Sequence, residues 1–201
     1  MRVLIPRDEA KDLSETGEKK NDREDTTMTR YEVEPTANER TFAENDIIVS
    51  KTDPKGRITY ANDVFLDVAL YTEAEVLGQP HSIVRHPDMP RSVFKLLWNT
   101  IESRKEIFAY VKNMAKNGDF YWVFAHVTPS YDANGAIVGF HSNRRVPRPD
   151  AVAKIEPVYR QLLDVENSHA DRKAGMDAAV AKLGQMLADA GMEYDEFVFS
   201  L

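Results

Sequence analysis

Cysteine is absent from the 201 residues of this chain. Its absence excludes disulfide bridges, iron–sulfur clusters, thiolate zinc sites, thiol nucleophiles and covalent thioether haem. It also excludes any photochemistry that needs a cysteinyl adduct. Long apolar runs are missing as well, and nothing approaches the roughly 18 residues of a membrane-spanning helix. The apolar start Val3-Leu4-Ile5 is halted at Pro6, too short for a secretory signal. A cytoplasmic protein is expected. Positive charge is in deficit, with 26 Lys and Arg against 33 Asp and Glu and a formal net charge of −7. That balance argues against binding nucleic acid or anionic membranes by bulk electrostatics.

What is present divides into three parts. Residues 1–41 are crowded with charge and poor in large apolar side chains: the first forty hold eight Lys/Arg and eleven Asp/Glu. Such a stretch cannot bury enough surface to offset its ordering entropy, so a disordered segment is expected. Residues 42–147 carry the hydrophobic patterning of one α+β domain. Asp46–Thr52 and Arg57–Ala61 read as strands around the turn Asp53-Pro54-Lys55-Gly56. Asn62 or Asp63 caps a short helix, and Thr72 with Glu75 forms a capping box for another. Val93, Phe94, Leu97, Trp98 and Ile101 recur at helical spacing over 91–103. Three strands follow, over 107–114, 120–129 and 136–145, separated by Asn117-Gly118 and Asn134-Gly135 hairpin signals. The order predicts a single five-stranded antiparallel sheet with helices on one face. Residues 148–201 predict a C-terminal helical extension. Its first helix should be kinked or divided at Pro157, its second should run over 170–190, and an apolar tail ends the chain.

One run does not fit regular structure. Gly78-Gln79-Pro80-His81-Ser82-Ile83-Val84-Arg85-His86-Pro87-Asp88-Met89-Pro90 packs three prolines, two histidines, an arginine and an aspartate into one segment. Proline fixes φ and removes a backbone donor, so the segment is neither one helix nor a central strand. It presents Arg85, His86 and Asp88 at fixed offsets, as a surface loop, a packing loop or the wall of a ligand site.

The element order, together with Ala61-Asn62-Asp63, Leu77-Gly78-Gln79-Pro80-His81, Val84-Arg85-His86-Pro87-Asp88-Met89-Pro90, Trp98, Val111-Lys112-Asn113 and Tyr121-Trp122-Val123, resembles the sensory PAS domain of bacterial aerotaxis receptors. The likeness covers about residues 45–160. It implies non-covalent FAD in the pocket and redox signalling to a chemoreceptor or other transducer partner, with no enzymatic activity. It also implies a stand-alone form, as in split energy-taxis systems, because no membrane anchor or long signalling bundle is seen.

The resemblance makes Asn62, His81, Arg85, His86, Asp88, Trp98, Asn113, Tyr121 and His141 the expected cofactor contacts. Arg85 can clamp a phosphate or ring carbonyl, or pair with Asp88 as loop structure. His81 stands where light-sensing flavin PAS domains place a cysteine, and would face the ring or turn to solvent. The Asn113 amide offers the donor and acceptor that suit a flavin pyrimidine edge. His141 occupies the position two after Gly139 that carries a glutamine beside the flavin in those domains. It is expected to couple reduction to the sheet, or else to be an ordinary half-buried strand histidine. With Asn113 inward, Tyr121, Val123, Ala125 and Val127 also face inward, leaving Phe120, Trp122 and Phe124 as an outer stripe. Something should cover it: a C-terminal helix, the N-terminal segment or a second subunit in a homodimer. Other readings are a haem-binding oxygen sensor using His81 or His86, a ligand-free docking module, and a small flavoenzyme, which the lack of a substrate site disfavours.

Overall fold

The computed structural model describes residues 33–201. The expected disorder of the charged segment falls largely on residues 1–32, outside the described residues. Its last part differs from expectation. Thr36 and Arg40 donate backbone N–H bonds to the carbonyls of Gly118 and Phe120 at 2.8 and 2.7 Å, and the Phe120 N–H returns one to Asn38 at 3.0 Å. Arg40 Nε also donates to the Val68 carbonyl at 2.8 Å. Order therefore begins before Phe42. These ties are made by backbone and polar groups, so hydrophobic patterning carries no sign of them.

Strands β1 (Ile48–Thr52) and β2 (Ile58–Ala61) form the first hairpin. Asp53 Oδ1 shapes its turn by accepting the N–H groups of Lys55 and Arg57 at 2.8 and 2.9 Å. The chain then crosses the sheet through α1 (Asp63–Ala69), α2 (Glu73–Val76), a 3-10 helix (His81–Val84) and α3 (Arg91–Glu102). The expected capping box is present: the Thr72 N–H and hydroxyl both donate to Glu75 Oε2 at 2.9 Å. Strands β3 (Ile107–Met114), β4 (Phe120–Tyr131) and β5 (Ile137–Arg145) follow. The five strands make one antiparallel sheet in the order β2-β1-β5-β4-β3. Its inner face packs Val111, Tyr121, Val123 and Ala125 against Phe65, Val68, Val84 and Val93 of the crossing helices.

The C-terminal extension is α4 (Pro149–Asn167), α5 (Arg172–Ala190) and α6 (Tyr194–Ser200). Pro157 does not divide α4, which runs unbroken for 19 residues. The proline forfeits one backbone bond, but Ile155, Tyr159 and Leu162 on the same helix are buried in the core, and that burial exceeds the roughly 3 kcal/mol helix penalty of proline. The apolar tail is helical. Helices α4 and α6 cover the outer stripe. Tyr159 stacks on Trp122 with ring centroids 6.3 Å apart and donates its hydroxyl proton to the Tyr110 carbonyl at 2.6 Å. Phe199 packs on Phe108 and Phe124. Of the covers that the sequence allows for this stripe, the chain's own C-terminal helices lie on it. Among the described residues no helix is long and apolar enough to cross a membrane.

Strand β5 approaches β1 most tightly at Gly139, where a Cβ would stand 2.1 Å from the Thr52 carbonyl oxygen. Backbone cannot swing aside as a side chain can. Gly139→Ala is therefore expected to lower the unfolding free energy by about 2 kcal/mol or more, read as a drop in urea midpoint. An unchanged midpoint would mean that the two strands do not meet this closely.

Candidate ligand-binding site

Between the inner face of the sheet and α3 lies a pocket with an empty volume of about 700 Å³, solvent at its mouth included. Helical periodicity aims Phe94, Leu97, Trp98 and Ile101 at it from α3, and strand alternation aims Val111, Asn113, Ala125, Val127, Phe140, Ser142 and Arg144 at it from the sheet. Ser50 and Thr52 of β1 close one end, while His81 and Arg85 reach in from the proline-pinned segment. Trp98 meets Phe140 edge-on with centroids 5.4 Å apart, so the far wall is aromatic. A second depression of about 1010 Å³, between Phe42, Phe120, Trp122 and α4, is larger. No buried polar residue lines it.

The electrostatics are dominated by Arg144, which is 5% exposed. Its Nη2 donates to Ser50 Oγ at 2.8 Å and stands 2.7 Å from His81 Nε2. A guanidinium only donates, so Nε2 must be the unprotonated ring nitrogen. Burial first, then the charges of Arg144 and Arg85, pull the His81 pKa down to about 3, and His81 is neutral near pH 7. Burial also pulls the Arg144 guanidinium down to about 10, leaving it charged near neutrality. Among the described residues no carboxylate pairs with it. Its Nη1 and the Ser142 hydroxyl are buried without a hydrogen-bond partner among those residues. Both residues line the pocket. A buried cation and orphaned donors are costly unless a ligand completes them. Arg85 lays its guanidinium on the Phe94 ring, 3.6 Å from the centroid, and its backbone bridges to Asn113.

Of the nine expected contacts, His81, Arg85, Trp98 and Asn113 line the pocket. The other five do not. Asn62 is committed to local structure: its Oδ1 accepts from the Val49 and Phe65 N–H groups at 2.9 and 3.1 Å, and Nδ2 donates to Ile47 O at 2.8 Å. His86 turns away from the pocket, packing edge-on against Phe120 and accepting the Asp88 N–H on Nδ1 at 3.1 Å. Asp88 is 60% exposed and pairs with Lys112 at 2.8 Å on the outer side of β3. Arg85 leaves the 3-10 helix in extended backbone, which sends successive side chains to opposite sides, so Arg85 enters the pocket and His86 does not. Tyr121 faces inward but is sealed in the core beyond the lining residues, its hydroxyl buried without a partner among the described residues.

His141 lies on the outer face, where Nε2 contacts Asn143 Oδ1 at 3.0 Å. The cause is an irregularity in β5. Ser130 pairs with Gly139 but Tyr131 pairs with Ile137, so Val138 is an extra residue and is 50% exposed. Ile137 and Phe140 consequently pack into one cluster although three positions apart. Such a bulge inverts the face of everything after it. Strict alternation from Ile137 would bring His141 inward, whereas past the bulge the inward residues are Phe140, Ser142 and Arg144. Those last two, with Ser50, are polar pocket-lining residues that the sequence does not reveal.

Comparison with known proteins bears on the same stretch. Residues 58–144 match the model of the PAS fold. The aerotaxis receptor of Escherichia coli strain K12 is 41% identical over 121 residues, which are 60% of this chain and 24% of the receptor. The nitrogen fixation regulatory protein of Klebsiella pneumoniae is 27% identical over 99 residues, 49% of this chain and 20% of that protein. A solved light-oxygen-voltage domain superposes with a TM-score of 0.49 and 20% identity, covering 61% of this chain and 87% of that one. The chain therefore spans no more than about a quarter of the curated relatives it matches. Sheet order and sequence likeness converge: this chain carries a PAS-fold domain that resembles the aerotaxis receptor over 60% of its length.

Proposed function

We propose that the pocket binds FAD non-covalently and that the domain senses redox state or oxygen, passing its state to a chemoreceptor or similar signalling partner. One observation carries the reading: a buried, carboxylate-free Arg144 and the amide of Asn113 face the same aromatic-walled pocket. This donor set fits a flat, acceptor-rich ring. The Asn113 amide supplies one donor and one acceptor, Arg144 and Ser142 hold unused donors, and Trp98, Phe94 and Phe140 supply apolar and aromatic surface. The likeness to the aerotaxis receptor supports the same ligand class. A bound isoalloxazine supplies a two-electron redox centre. The chain's own residues orient it and exclude water. Arg144 keeps a fixed positive charge beside it, and His81 stays neutral.

The haem alternative loses its ligands. His81 directs Nε2 at Arg144 and Ser50, and His86 is turned away from the pocket. A ligand-free module would leave the Arg144 and Ser142 donors buried for nothing.

The absorption spectrum of purified protein tests the proposal. The visible bands of an oxidised flavin are expected, with the chromophore released by heat denaturation and co-eluting with FAD on chromatography. An intense Soret band, or no visible chromophore and no uptake of added FAD, overturns it.

A further inference from the structure

Glu166 sits near the end of α4, and its side chain is 1% exposed. Among the described residues, the partners of its carboxylate lie on α3. Oε2 accepts the Arg91 N–H at 3.1 Å and Arg91 Nε at 3.0 Å, and Oε1 accepts the Ser92 N–H at 2.7 Å. Helix α3 has no cap of its own, because Pro90 holds the N-cap position and offers no side-chain acceptor. The first N–H groups of a helix need acceptors, and its N-terminus favours negative charge. A carboxylate from another helix meets both needs here.

Helix α5 closes the junction. Gly175 packs on the carbonyl of Glu166 itself, where a Cβ would come within 2.3 Å of the oxygen. Lys95 of α3 pairs with Asp177 of α5. Three helices thus meet around Glu166, α3 at its carboxylate and α5 at its backbone carbonyl. The helix seated by it is the pocket's own wall: Phe94 lies under Arg85, and Leu97 and Trp98 follow one turn on.

We propose that Glu166 is a positioning residue that seats α3 against the pocket and so couples pocket occupancy to the docking of α4 and α5. The identity of the ligand rests on the flavin reading; the seating of α3 does not. Loss of any one of three donors leaves the others misaligned, so α3 is either seated on Glu166 or released from it. A ligand pressed on Phe94 and Trp98 acts on that same rigid helix. Coupling of this kind is reciprocal: what binds in the pocket tightens α4 and α5, and what loosens them weakens binding.

The test compares Glu166→Ala, Glu166→Gln and Gly175→Ala, the last serving if the alanine variant does not fold. FAD affinity is measured by fluorescence titration and backbone order by amide hydrogen exchange. In a Trp122→Phe background the single remaining tryptophan, Trp98, reports on α3 with no flavin present. Glu166→Ala and Gly175→Ala are expected to weaken FAD binding about tenfold and to shift Trp98 emission. FAD should slow exchange in α4 and α5 of the parent but not of these variants. Glu166→Gln keeps one acceptor oxygen but loses the charge and turns its NH2 toward a donor, so it should show an intermediate effect. Folded variants with parental Trp98 emission and parental FAD affinity, changed only in melting temperature, overturn the proposal. If the parent takes up no FAD, the flavin reading fails by itself, and the Trp98 arm alone decides: a shifted emission upholds the seating of α3, an unshifted one overturns it.

Discussion

Replacing Arg144 by methionine is expected to make the ligand-free protein more stable and its FAD complex weaker. The guanidinium is buried with no carboxylate beside it among the described residues, and burial pulls its pKa from the ordinary arginine range down to about 10. A shift of that size corresponds to about 3 kcal/mol of strain on the charged form. The sign is unusual for a cation. Its folded-state value is depressed, so the penalty stands at every pH below about 10 and is relieved only above it. Methionine fills similar space without charge, and exchanging buried ions for apolar groups is often neutral or stabilising by about 1–4 kcal/mol. Binding should move the other way. Hydrogen bonds to a charged group contribute about 1.5–3 kcal/mol, which is roughly ten- to a hundredfold in Kd. The flavin midpoint potential should also fall by about 30 mV or more, because the positive charge favours the electron-rich state. Urea unfolding, FAD titration and redox potentiometry read the three effects. A methionine variant that is less stable and binds FAD like the parent would make Arg144 a structural residue only.

Acid should destabilise the ligand-free protein well above the pH at which carboxylates protonate. His81 has its pKa depressed to about 3 by burial and by Arg144 and Arg85. The unfolded chain takes up a proton below about pH 6.5 while the folded chain refuses it, so stability is lost as pH falls through that window. His81 alone accounts for about 2 kcal/mol between pH 6.5 and 5. His86, held low by burial and by Lys112, adds in the same direction. The carboxylates act in a lower window. Glu75 is held near 2 by its bonds to Lys116 and Thr72, and Asp119 and Asp177 are also lowered. Their contributions are lost only as pH falls below the ordinary carboxylate range. Urea midpoints at pH 7, 6 and 5 should therefore decline in the parent and decline less in His81→Gln. A flat profile down to pH 5 would mean that His81 is not buried against Arg144.

Several parts of this architecture are legible from residue order. The Asn-Gly turns, the Thr72–Glu75 box and the apolar spacing of α3 are local signals, because the chemistry that makes them lies within a few residues. Strand alternation places Asn113 inward, and helical spacing brings Trp98 to the pocket. Pro157 misleads, since its penalty is local while the burial of Tyr159 and Leu162 that overrides it is tertiary. His86 and Asp88 mislead for a related reason: successive side chains of extended backbone point to opposite sides, so Arg85 reaches the pocket and His86 does not.

Residue order by itself determined the element sequence, the antiparallel sheet and the resemblance to a flavin-binding sensor. The exclusion of thiol chemistry followed directly from composition. Only the tertiary structure decided which side of β5 faces the pocket, because one extra residue at Val138 exchanges His141 for Ser142 and Arg144. It alone also showed Glu166 capping α3 and the C-terminal helices covering the outer stripe. The physical reason is the same in each case. Propensity and periodicity act over a turn of helix or a pair of strand residues, whereas faces after a bulge, and partners 75 positions apart, depend on the balance of burial and hydrogen bonding over the whole domain.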